Sequence, residues 1–364
     1  VSGGTLAATG AGSIDTSTNV INIAGGTFST DGGTIAANEA VTLSGAGIFD
    51  VNGDETFASL VNNSTSASAV DVAATFTLEA DSIESNDGTI TVAGTLNSTG
   101  SAVDNNANST LTMDNTGAGT STVTGGIVND GIVNAEGAFS GVILNQGAGD
   151  FNVTGNLIGN NTFTNTGTAT LDVTGGNFTG ITTLSNAATV TVDGGFNISA
   201  TDIGNTGLFT ANGTVNADTL SNSNVFNSAS TVTVTGLVTN SAGTLTNSAG
   251  VFGAGSVLVS GGNVNVTGGS LTSGSTLDIT AGALTNTATV SVTGAATVSG
   301  TGSLDNDATF GAASLANSSS VDNSGAMTIA GLLSNTAGTL TNSAGTLGAG
   351  SVSVSGGNVN VTGG

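Results

Sequence analysis

Gly331 to Gly364 reads GLLSNTAGTLTNSAGTLGAGSVSVSGGNVNVTGG, and Gly236 to Gly269 reads GLVTNSAGTLTNSAGVFGAGSVLVSGGNVNVTGG. The two stretches agree at 28 of 34 positions and lie 95 residues apart (331 − 236). Self-similarity at a fixed offset marks a repeat architecture, in which one short unit cannot bury its apolar side alone and stacks on its neighbours.

A shorter period runs inside the long one, written as an apolar residue, any residue, then Asn. It occurs at Phe163-Thr-Asn165, Leu184-Ser-Asn186, Ile203-Gly-Asn205, Leu220-Ser-Asn222 and Val238-Thr-Asn240, with the asparagines spaced by 21, 19, 17 and 18. A second series, Asn286, Asn306, Asn323 and Asn342, is spaced by 20, 17 and 19. Roughly nineteen residues therefore make one unit, and five units account for the 95-residue duplication.

Between the asparagines lie alternating segments such as Thr231–Thr235, Thr289–Val292 and Val257–Val259, bounded by Gly, Asn or Ser. Period two and β-branched residues predict strands of about three to six residues. Abundant Gly and the turn preference of Ser, Thr and Asn leave almost no helix. A sandwich domain needs about 100 residues before it recurs, so a nineteen-residue unit favours a coil that winds one strand upon the next.

The expected fold is all-β: one elongated parallel β-helix, or β-solenoid, running continuously over residues 1–364. At about 4.8 Å per coil, nineteen coils would span on the order of 90 Å. The nine asparagines of the two series are expected to form a structural ladder. Asn tolerates turn geometry, and its amide both donates and accepts along a stack. Residues 151–364 carry the regular repeats, whereas 1–150 are more acidic and less regular; sixteen of the 24 acidic residues fall there.

The composition excludes much chemistry. The chain has no Lys, Arg, His, Cys, Pro, Trp or Tyr, its 13 aromatic residues are all Phe, and its formal charge is −24. A phosphate backbone would be repelled, so nucleic acid is not a partner. Disulfides, thiol and histidine catalysis, and zinc sites with nitrogen or sulfur ligands are ruled out, and carboxylate pairs are the one catalytic device left. No eighteen-residue apolar run marks a membrane span. Val1–Gly4 repeats the VSGG of Val259–Gly262 and Val354–Gly357, so the chain is expected to be a piece of a longer secreted protein.

Two acidic patches offer oxygen ligands for calcium: Asp50, Asn52, Asp54 and Glu55 in Asp50-Val-Asn-Gly-Asp54-Glu55, and Glu79, Asp81, Glu84 and Asp87 further on. The first begins like a calcium loop, but Glu55 stands where such a loop needs Gly and Val61 where it needs its last carboxylate. The competing reading is a solvated acidic face that keeps a β-rich fibre soluble. Threonine runs such as Thr231–Thr235 are too irregular for an ice-binding array, and Asn-x-Ser/Thr triplets are inevitable in this alphabet.

GLLSNTAGTLTNSAG and its kin resemble the filamentous haemagglutinin and autotransporter-passenger group, over most of residues 90–364. That resemblance implies a right-handed parallel β-helix and a place on the bacterial surface. The expected function is a structural or adhesive extracellular fibre, not an enzyme, whose partners are further copies of itself or cell-surface ligands. The alternatives are a calcium-dependent surface-layer component and a β-helix enzyme that degrades polysaccharide, for which the chain offers no basic residues and, among flat aromatics, neither Trp nor Tyr.

Overall fold

The computed structural model describes residues 1–115, 120–159 and 161–363. It is all-β, a stack of parallel strands wound as a β-solenoid, with no helix among the described residues. The chain divides into two compact units, one of residues 1–184 and 188–190, the other of 185–187 and 191–364.

One coil of the second unit shows how the sequence builds the rest. Thr214–Asn222 is a long strand, TVNADTLSN, followed after two residues by the short strand Val225–Ser228. Val215, Ala217, Leu220, Asn222, Phe226 and Ser228 are buried, while Asp218 and Thr219 both face out. Two successive outward residues break the alternation and bend the long strand, so each coil has three inward-facing pairs. The next coil repeats the plan with Val232–Asn240 and Thr244–Asn247, pairing in parallel with the first. The pairing register slips at the bend, between Ala217 and Leu220. Equivalent slips follow at Val234/Leu237, Val292/Ala295, Ala312/Leu315 and Ile329/Leu332.

Registers give the length of each coil. From Asn205 the same corner returns at Asn222, Asn240, Val259, Ile279, Val298, Asn317, Asn335 and Val354, in steps of 17 to 20. In the first unit the corner passes through Asn62, Ser85, Asn105, Asn129, Asn145 and Asn165, in more uneven steps of 16 to 24. Asn240 and Asn335 are five coils apart, so the 95-residue duplication is a whole number of coils.

The interior is narrow and filled by columns of Val, Leu, Ile, Ala and Phe. Phe209 and Phe226 stack on adjacent coils with ring centroids 4.7 Å apart, as Phe28 and Phe49 do at 5.4 Å. A flat ring fits such a column because the coil spacing is close to the stacking distance of offset aromatics. The duplication also shows what a following coil covers. Val257, Val259 and Val266 are buried beneath residues 270–286, whereas their counterparts Val352, Val354 and Val361 are exposed by 59%, 53% and 67%. Covering apolar area of this kind is the main favourable contribution of each added coil, about 25 cal/mol per Å².

Candidate functional site

The residues with most structure around them are the inward asparagines. In the second unit Asn186, Asn205, Asn222 and Asn240 close successive long strands, all buried. Asn186 Nδ2 donates to Asn205 Oδ1 at 2.8 Å, Asn205 to Asn222 at 2.8 Å, and Asn222 to Asn240 at 2.7 Å. Each amide also reaches a backbone carbonyl of the following coil, Leu208 for Asn186, Val225 for Asn205 and Thr244 for Asn222, and Asn205 and Asn222 share that donation with the carbonyls of Gly207 and Asn224 in their own coils. Each amide thus ties its own coil to the next at two points, in a place where an unpaired polar group would be costly.

Asn286, Asn306, Asn323 and Asn342 form a chain of the same kind, with Nδ2 to Oδ1 distances of 2.7, 2.6 and 2.5 Å. They close the short strands, so they stand at a different corner. The two asparagine series of the sequence are therefore two ladders. In the first unit Asn145 Nδ2 donates to Asn165 Oδ1 at 2.9 Å, and Asn165 Nδ2 reaches the Thr189 carbonyl at 2.7 Å.

Further members escaped the sequence reading. Asn105, Asn129 and Asn145 are linked at 2.7 Å and 2.7 Å, and Asn317 and Asn335 at 2.7 Å. Asn247 joins the short-strand corner with its Nδ2 on the Ser270 carbonyl, while its buried Oδ1 accepts no bond. All of them carry the apolar-x-Asn signal, as in Val103-Asp-Asn105, Ile143-Leu-Asn145, Leu245-Thr-Asn247 and Leu315-Ala-Asn317. Val259, Ile279 and Val298 occupy the long-strand corner between Asn240 and Asn317, so an apolar side chain can fill the same space.

The eight proposed calcium ligands lie in two short stretches, and Glu79, Asp81 and Glu84 share the strand Thr77–Ser85. Asp50 is in register with Asp71 on the next coil, and Asn52 Nδ2 reaches Ser29 Oγ at 3.3 Å. Asp54 Oδ1 accepts the Thr77 N–H at 2.9 Å. Glu55 points inward and is buried; its Oε2 accepts the Ile35 N–H at 2.8 Å, and its Oε1 has no partner. Glu79 accepts from Asn97 Nδ2 at 2.6 Å, Asp81 from Thr99 Oγ1 at 3.0 Å, and Asp87 from the Gly88 N–H at 2.9 Å. Glu84 is in register with Asp104. Among the described residues no group of three or more acidic side chains comes together to hold a metal ion.

What the fold does bring together are carboxylates stacked in register. Burial, then the Asp71 charge, raises the Asp50 pKa above the ordinary carboxylate value; burial, then Asp114, does the same for Asp71. Asp104 is raised by burial, then by Glu84 and Asp130. Asp305, in register with Asp322, is raised by burial, then by Asp307 and Asp322. Burial also raises Glu55. With no Lys, Arg or His in the chain, no side-chain cation offsets these fields.

An open trough of about 640 Å³ lies over the strand bend of the second unit, lined by Gly236, Leu237, Gly255, Ser256, Thr276 and Asp278 among others. Asp278 is the one acidic residue between Asp218 and Asp305. Neither a family model, nor a curated protein, nor a solved structure matches the chain.

Proposed function

We propose that this chain is a structural or adhesive component of an extracellular fibre on a bacterial surface or in its matrix, of the kind filamentous haemagglutinins and autotransporter passengers build. The observation that carries this reading is the duplication by five whole coils. A fold that can be extended by repeating a unit, with runs of its coils bonded to the next through buried amides, suits a protein whose work is to provide length. The chemistry of the side chains supports a non-enzymatic role: carboxylates are the only titratable side chains, and those with raised pKa values stand in outward stacks on adjacent coils or, for Glu55, singly in the interior.

Self-association belongs to the same reading. An acidic surface without side-chain cations keeps such material dispersed through mutual repulsion, while backbone pairing at coil edges supplies the specific contact. Electron cryo-microscopy of native secreted material tests it. Fibres with an axial layer near about 4.8 Å and subunit breaks identify a polymer of stacked solenoids. The same layer without breaks identifies one long tethered chain, and secreted material without fibres or without that layer overturns the proposal.

A further inference from the structure

Asn–Gly occurs twice in the chain, at Asn52–Gly53 and Asn212–Gly213. The two are held differently. The Gly213 N–H donates to the Val192 carbonyl at 2.9 Å, and the Asn212 N–H shares that acceptor at 2.8 Å. Gly53 lies in the connection between the strands Ile48–Val51 and Glu55–Ser64, and its N–H donates to no described residue. The Asn52 side chain is exposed and tethered only by its long bond to Ser29 Oγ.

The ladder asparagines present the opposite arrangement. Each is buried and none is followed by Gly, and the N–H that follows Asn165, Asn205, Asn222 and Asn240 is engaged with the preceding coil. Ser223 N–H donates to the Asn205 carbonyl at 2.9 Å, Ser241 N–H to Asn222 at 2.9 Å, and Thr166 N–H to Asn145 at 2.9 Å. A backbone nitrogen fixed in this way cannot turn onto the side chain of its own neighbour, and a side chain on the following residue crowds the approach further.

We propose that Asn52–Gly53 is a self-modifying site, at which Asn52 converts to aspartate and isoaspartate through a succinimide, while coil pairing protects Asn212 and the ladders. The Gly53 nitrogen gives its proton to solvent base and attacks Asn52 Cγ. A new C–N bond closes the five-membered ring, and the side-chain nitrogen leaves as ammonia. Water then opens the ring at either carbonyl, giving aspartate or an isoaspartyl linkage that carries one additional backbone methylene. Either product adds a negative charge between Asp50 and Asp54. The isoaspartyl form also lengthens the connection that leads into Glu55, so chemical ageing of this fold begins in its N-terminal coils and leaves the asparagine ladders intact.

The folded chain is held at mildly alkaline pH and physiological temperature, sampled over weeks, digested with pepsin and mapped by fragmentation that separates aspartate from isoaspartate. The expected result is progressive conversion at Asn52, with Asn212 and the ladder peptides unchanged, and conversion of both Asn–Gly sites at similar rates once the chain is unfolded in urea. Gly53→Ala, whose added Cβ approaches nothing closer than the Thr30 carbonyl at 3.4 Å, slows the reaction in folded and unfolded chain alike. Asn212 converting as fast as Asn52 in the folded chain, or Asn52 persisting unchanged, overturns the proposal.

Discussion

Asn205 Nδ2 donates to Asn222 Oδ1 and to the Val225 carbonyl, both at 2.8 Å, so a single side chain fastens two coils at the side-chain and backbone level together. Asn222 then repeats the gesture toward Asn240. The bonds run in one sense, each amide donating toward the C-terminal neighbour and accepting from the N-terminal one.

Replacing a middle rung leaves two neighbours wanting. Asn222→Ala removes the acceptor of Asn205 and the donor to Asn240, a loss of about 1–3 kcal/mol read from urea unfolding. Asn222→Asp loses more, because a carboxylate would be buried without a cation. Asn240→Val loses less than Asn222→Val, because Val259 already stands on the far side of Asn240 and only one ladder link is broken. Equal losses for the two valine variants would show that the additional Asn205–Asn222 link contributes nothing.

Two glycines separate backbone strain from mere smallness. Gly269 has φ +63°, and a Cβ there would run into the Gly250 backbone, so Gly269→Ala is expected to lower stability by at least about 1–2 kcal/mol. Gly311 lies in the strand Thr309–Asn317 without a positive φ and with open space around its missing Cβ. Gly311→Ala is therefore neutral or raises stability by up to about 1 kcal/mol. Thermal unfolding of both variants decides the matter.

The stacked carboxylates make this fold respond to acid in an unusual direction. Asp50, Asp71, Asp104 and Asp305 all have folded pKa values raised above their ordinary ones. Their contribution to stability is fully present below the unfolded pKa and is lost as pH rises through the folded value. The urea midpoint should therefore increase as pH falls from neutral toward the ordinary carboxylate range. Asp71→Asn should raise the midpoint at neutral pH and flatten the profile; a midpoint that falls steadily on acidification contradicts this account.

Calcium offers a further check. Asp54, Glu79, Asp81 and Asp87 each accept a hydrogen bond from a neighbouring backbone or side-chain donor, and among the described residues no three acidic side chains come together to hold a metal ion. Adding calcium, or removing it with a chelator, should leave the thermal midpoint unchanged apart from the screening any divalent salt provides. A rise that saturates at stoichiometric calcium would favour the calcium-held alternative.

The fold was legible because its period is written in residue types. Apolar-x-Asn marks a corner, alternation marks the strands, and both survive as spacing in the linear chain. Spacing reports period but not which corner a residue occupies, and for that reason Asn222 and Asn306 read as rungs of one ladder. The clue lay between Asn240 and Asn286, whose separation, 286 − 240 = 46, is not a multiple of nineteen. It lay also in GLVTNSAGTLTN, which carries two corners, Asn240 and Asn247, within one coil. The carboxylate stacks were less visible. Asp50 to Asp71 is a step of 71 − 50 = 21 and Glu84 to Asp104 one of 104 − 84 = 20, and nothing local marks either pair until the register is fixed.

Five whole coils between Asn240 and Asn335 also bear on heredity. A duplication or excision of that 95-residue stretch in the gene returns every inward side chain to its own corner, so the number of coils can change by unequal recombination without any stage at which the protein must be refitted. An insertion of half a coil would break the alignment of the apolar columns. Such a fold tolerates error best in the units by which its sequence already repeats.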